Sequence, residues 1–162
     1  MELAAQVGAL LKSHGLMLAT AESCTGGGVA QAITEVAGSS AWFERGFVTY
    51  SNQSKQQMLG VRETTLIQYG AVSEMTVREM VAGALKHSSA QVALAVSGIA
   101  GPDGGTAEKP VGTVWFAWGI KQGETHAQRY QLDGNRAEIR AKAVHIALQG
   151  IANLLNKKTE TA

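Results

Sequence analysis

Three short segments of this chain hold residue types that could do chemistry. The first is Glu22-Ser23-Cys24-Thr25-Gly26-Gly27, hydroxyls beside glycines where an apolar run gives way to a helical pattern. A serine at a strand-to-helix turn faces the unpaired N–H groups of the first helical turn and the positive end of the helix dipole. Those donors suit an oxyanion or a phosphate. A plain N-cap at Ser23 or Thr25 explains the same residues. The second segment is Tyr50-Ser51-Asn52-Gln53-Ser54-Lys55. With Asn52 as N-cap, Lys55 lies about one turn into a helix. A lysine desolvated beside a serine loses its proton and acts as a base, although most lysines so placed are solvated. The third is Ser97-Gly98-Ile99-Ala100-Gly101-Pro102-Asp103-Gly104-Gly105, a glycine-rich loop able to wrap an anion. It has neither the Gly-Lys-Ser/Thr ending of a Walker A loop nor a Gly-x-Gly-x-x-Gly spacing. Arg136 and Arg140, four apart in sequence, form either a phosphate clamp or a solvated face.

Other constellations are negative. His14, His87, His126 and His145 form no His-x-x-x-His or Cys/His pattern, so no metal site is expected. Cys24 has no histidine near it in sequence, and no serine sits in a Gly-x-Ser-x-Gly elbow. Trp42, Trp115 and Trp118 read as packing residues.

The elements that must position these segments follow from periodicity. Leu3, Val7, Leu10 and Leu11 share a helical face that stops near Gly15, and Leu16 to Thr20 is a strand-length apolar run. Helical patterns cover Val29 to Val36, Asn52 to Met58, Thr64 to Tyr69 and Glu74 to His87, with Met75, Met80, Val81, Ala84 and Leu85 on one side of the last. Gly46 to Tyr50 is a strand, and Val92 to Val96 is apolar enough to be buried on both faces. Gly112 to Ile120 alternates, with Val114, Phe116 and Trp118 on one face, and pairs with His126 to Leu132 across Gln122-Gly123. The last helix runs from Arg136 to Leu155, its stripe made by Ile139, Ala143, Ile146, Ala147, Ile151 and Leu154, with a frayed tail beyond. Alternating helices and strands with a late hairpin predict one three-layer α/β/α domain over residues 1–162, built on a mixed sheet.

Composition narrows the function class. The chain has 162 residues, 45% hydrophobic and 17% charged, with a formal net charge of +1, which fits one globular domain and no nucleic-acid-coating surface. A single cysteine excludes an internal disulfide framework. The first residues lack a basic n-region, and no run reaches the ~18–20 apolar residues of a spanning helix, so a cytoplasmic protein free of membrane is expected.

Taken together, these segments resemble the C-terminal domain of the CinA (competence/damage-inducible protein) family in its stand-alone, amidase form. The resemblance covers about residues 3 to 155. It is carried by Thr20 to Gly27, Gly38 to Asn52, Gly70-Ala71-Val72-Ser73-Glu74, Ser97 to Gly105 and Lys109 to Val114, in that order. It departs from the family pattern at Gly28, where a larger residue is expected. The resemblance implies conversion of nicotinamide mononucleotide to nicotinate mononucleotide and ammonia in pyridine-nucleotide salvage, without metal or cofactor. It also implies a serine amidase with lysine and tyrosine assistance, at Ser23, Lys55 and Tyr50.

On that reading, backbone N–H groups at Thr25 and Gly26, where the helix begins, hold the oxyanion. Ser97, Gly98, Gly101, Gly104 and Gly105, with Arg136 and Arg140, receive the nucleotide. A homodimer is expected from the extended hairpin. Two rivals are a silent nucleotide-binding paralogue and an amidase for another small amide. A role on DNA fits poorly with the charge.

Overall fold

A computed structural model describes residues 2–161. Five strands, β1 (Leu18–Glu22), β2 (Phe43–Val48), β3 (Val92–Gly98), β4 (Thr113–Ile120) and β5 (Thr125–Gln131), form one sheet in the order β2-β1-β3-β4-β5. Strand β1 runs parallel to both β2 and β3, while β3-β4 and β4-β5 are antiparallel, so the sheet is mixed and ends in the expected hairpin. The helices are α1 (Leu3–His14), α2 (Gly28–Thr34), α3 (Asn52–Leu59), α4 (Glu63–Tyr69), α5 (Glu74–Lys86) and α6 (Arg136–Thr161).

Strand alternation divides the core into two layers. Leu18, Val92, Leu94, Val96, Val114, Phe116 and Trp118 point to α1, α2 and α6. The opposite face offers Ala19, Ala21, Ala93, Ala95 and Ala117 to α5. Small residues there let α5 lie close to the sheet, where Val77, Met80, Val81 and Ala84 are fully buried. Bulk faces the other layer, where Trp118 Nε1 donates to Ala147 O at 2.8 Å and Trp42 is buried. The three-layer α/β/α arrangement is the expected one.

Element edges moved where side-chain pattern alone could not place them. The first strand begins at Leu18 and runs through Glu22, and the second occupies 43–48 instead of 46–50. The N-cap of α3 is Ser51 instead of Asn52, because Ser51 Oγ accepts from Ser54 N at 3.0 Å and Ser54 Oγ accepts in turn from Ser51 N. Met75 lies at the surface, its expected place on α5 taken by Val77. The last helix continues past Leu155 to Thr161. Gly28 has a local reason: a Cβ there would sit 3.1 Å from Val144 Cγ2 of α6, so the missing side chain lets these helices touch.

The chain order places a site. From β1 the chain crosses through α2 to β2 on one side, then returns through α3, α4 and α5 to β3 on the other. The carboxyl ends of β1 and β3 therefore diverge into loops that leave in opposite directions, which opens the crevice where open α/β sheets bind ligands.

Candidate active site

The residue that leaves β1 at this crevice is Ser23. Its N–H donates to Val96 O at 3.0 Å, which ties the loop to the end of β3. The loop then turns sharply: Gly26 N donates to Ser23 O at 3.0 Å, and Gly26 and Gly27 take φ values of +60° and +101° that only glycine adopts without strain. Below the turn lies Glu22, 1% exposed. Its carboxylate accepts from Thr25 Oγ1 at 2.6 Å, Val29 N at 2.8 Å and Ala30 N at 3.0 Å. A buried anion thus caps α2 and fixes Ser23 from beneath. From the α6 side, Arg140 donates from Nε to Cys24 O at 3.1 Å and from Nη2 to Thr25 O at 3.2 Å.

Lys55 reaches the same point from α3, thirty-two positions away in sequence. Its Nζ lies 3.0 Å from Ser23 Oγ, 3.0 Å from Thr49 O and 3.5 Å from Tyr50 O, and the residue is 1% exposed. It forms no ion pair among the described residues. Burial with no carboxylate beside it pushes the ammonium pKa down from its ordinary value. Nζ donates to all three neighbours, and once it gives up a proton its lone pair is placed to accept the serine O–H. Burial also pushes the neighbouring Cys24 thiol up to about 11, so it is neutral in the physiological range and a poor nucleophile.

A cavity of about 300 Å³ opens over this pair, and Tyr50, Ser97, Gly98, Gly101, Gly104 and Arg136 also line it. Arg136 is held in place, donating to Gly101 O at 2.8 Å and Tyr50 Oη at 3.2 Å. A larger cavity, about 530 Å³, lies between β5 and α6 and holds neither Ser23 nor Lys55.

The structure brings Ser23, Lys55, Tyr50, Ser97, Gly98, Gly101, Gly104 and Arg136 together at the cavity and leaves four expected residues off its wall, among them Thr25, whose side chain is buried on Glu22. Arg140 stands behind the serine loop with its guanidinium on carbonyls, where it supports the loop and lines no part of the cavity. Gly105 packs against the backbone of Val111. Gly26 N–H is already bonded to Ser23 O, and α2 begins at Gly28, whose N–H goes to Thr25 O while those of Val29 and Ala30 go to Glu22. Tyr50 meets Lys55 through its carbonyl, and its hydroxyl accepts from Arg136 Nη2. Sequence reasoning missed Asp103, Asn52 and the roles of Glu22 and Arg140. An acid inside a glycine-rich loop was the one available signal, at Asp103.

The CinA C-terminal domain matches residues 1–155 of the chain. This protein belongs to that family. It is 60% identical over 149 residues to the nicotinamide-nucleotide amidohydrolase PncC of Escherichia coli (strain K12), covering 92% of this chain and 90% of that one. It is 53% identical over 152 residues to PncC of Pseudomonas putida, covering 94% of each. The solved structure of the competence/damage inducible protein CihA from Agrobacterium tumefaciens superposes with a TM-score of 0.91 at 49% identity, over 95% of this chain and 93% of that one. A CinA superfamily protein from Klebsiella pneumoniae does so with a TM-score of 0.92 at 41% identity, over 96% of each. Among the described residues no helix is long and apolar enough to cross a membrane, and no group of three or more His, Cys, Asp or Glu side chains is placed to hold a metal.

Proposed function

We propose that this chain is a nicotinamide-nucleotide amidase that uses Ser23 as nucleophile and Lys55 as base, working in pyridine-nucleotide salvage. The observation that carries this reading is the 3.0 Å approach of Lys55 Nζ to Ser23 Oγ at a fully buried, carboxylate-free position. The names of the relatives at 53–60% identity supply the substrate.

In this scheme Ser23 Oγ attacks the carboxamide carbon and its proton passes to Lys55. The oxyanion is received by the Thr25 N–H, which has no backbone acceptor among the described residues. The C–N bond breaks as Lys55 returns the proton to nitrogen, and ammonia leaves. Water then attacks the nicotinoyl-serine ester, gives a proton to Lys55, and Ser23 recovers its own. The ribose phosphate lies toward the 97–104 loop, with Arg136 balancing its charge and Tyr50 Oη holding that guanidinium in line. Arg140 acts by holding the serine loop. A homodimer completes the proposal.

The test is ammonia release from nicotinamide mononucleotide by purified protein with EDTA present, beside Ser23→Ala. Wild-type release that falls by ~10⁴-fold in the variant supports the scheme. No release from wild type sinks it and leaves a nucleotide-binding paralogue, whereas release by both proteins removes Ser23 as nucleophile.

A further inference from the structure

The cavity over Ser23 carries one feature that the amide chemistry does not use. Among its lining residues the ionisable side chains are Cys24, Tyr50, Lys55, Asp103 and Arg136. Cys24 is an un-ionised thiol near neutral pH and Lys55 is the buried base of the scheme above. A tyrosine phenol is neutral in the same range. Two full charges of opposite sign therefore remain, Asp103 and Arg136. They form no ion pair with each other. The Arg136 guanidinium is tethered to Gly101 O and Tyr50 Oη, whereas the Asp103 carboxylate accepts no hydrogen bond from any described residue. Asp103 is solvent-exposed on the rim of this 300 Å³ cavity and has no protein partner, so its carboxylate can turn to a charge on a ligand seated there.

Resting on the amidase reading, we infer that Asp103 and Arg136 make this site selective for a dipolar substrate, with Asp103 the counter-charge to a cationic aromatic ring and Arg136 the counter-charge to an anionic tail. The chemistry of the proposed substrate fits both ends. An N-ribosylated nicotinamide ring is a pyridinium, its positive nitrogen meta to the carbon that bears the carboxamide. When the carboxamide sits at Ser23, that nitrogen is held inside the same cavity, and the phosphate extends from the ribose on the other side. Free nicotinamide lacks both charges, and a neutral-ring nucleotide lacks one. Asp103 is then a specificity residue for the cationic ring, and it takes no part in proton transfer.

A ligand pair isolates the ring charge. Nicotinamide mononucleotide and its reduced 1,4-dihydro form share the carboxamide, ribose and phosphate and differ in whether the ring is cationic. Calorimetric binding of each would be measured in the Ser23→Ala background, so that turnover does not deplete the ligand, with and without Asp103→Asn. Ammonia release by wild type is recorded separately and reports on the amidase reading alone. The expected result is that Asp103→Asn weakens the oxidised ligand about three- to fivefold, as for a solvent-exposed charge pair, and leaves the reduced ligand unchanged. The preference for the oxidised form then disappears in the variant. Equal weakening of both ligands would overturn the inference and make Asp103 a ribose or loop contact. Unchanged binding of both, or no preference between the ligands before substitution, would overturn it too. Arg136→Gln is expected to weaken both ligands alike, since both carry the phosphate.

Discussion

Replacing Lys55 by methionine tests whether a buried neutral lysine is the base. Methionine matches the unbranched stem and removes the amine. Wild-type Lys55 is 1% exposed, has two carbonyls and a hydroxyl as neighbours, and has its pKa lowered by burial from the ordinary 10.5. The Cys24 thiol, at about 11, is uncharged throughout the working range and does not hold the ammonium there. The folded pKa lies below the unfolded one, so between the two values the unfolded chain binds one more proton than the folded chain. Wild-type stability must then rise with pH across that window, by up to about 1.4 kcal/mol per pH unit, and the full penalty applies below it. Lys55→Met has no such slope. Losing the hydrogen bond to Thr49 O costs about 1–3 kcal/mol in the variant, but that cost is independent of pH and does not touch the slope. Urea unfolding of both proteins from pH 6 to 10 measures the difference between the curves. In parallel, log kcat/KM should climb with unit slope below the folded pKa of Lys55 and then level, and the variant should lose ~10²–10⁴-fold in rate. Parallel stability curves, with a pH-independent rate, would refute the neutral-lysine argument.

Two further outcomes follow from the packing. Glu22→Gln keeps the shape but gives up the buried negative charge that caps α2 and holds Thr25. It should cost about 1–3 kcal/mol in urea unfolding and ~10–10²-fold in kcat, with KM less affected, because the nucleophile loosens while the cavity stays. An unchanged kcat would remove Glu22 as a positioning residue. Gly150→Ala would set a methyl 1.9 Å from Trp118 Cε2. Overpacking there should destabilise by about 1–3 kcal/mol in a thermal melt while leaving ammonia release per folded molecule unchanged.

How far the residues alone reach is clearest element by element. The all-apolar stretch from Val92 to Val96 and the alternation through Val114, Phe116 and Trp118 are periodic signals long enough to name a buried strand and a hairpin, and both stand. The N-cap of α3 lies one residue before the expected Asn52, since Ser51 and Asn52 are both good caps and only the reciprocal bond to Ser54 chooses between them. The edges of β1 and β2 are likewise set by pairing, because Glu22 continues the strand through its partners Val48 and Val96 in spite of its charge.

At the site, the chain order and the glycines mark Ser23 and the 97–105 loop, because local turn chemistry is written in neighbouring residues. What the sequence could not decide is which distant groups meet. Lys55 is a surface lysine or a base depending only on whether α3 turns it under Ser23. Tyr50 contacts Lys55 through its carbonyl and Arg136 through its hydroxyl, a division no spacing predicts. Arg136 and Arg140 are one helical turn apart and alike in sequence, yet one enters the cavity while the other clamps the loop behind it. Burial, hydrogen-bond direction and the sign of a pKa shift depend on contacts across the sheet, and those exist only once the layers have packed.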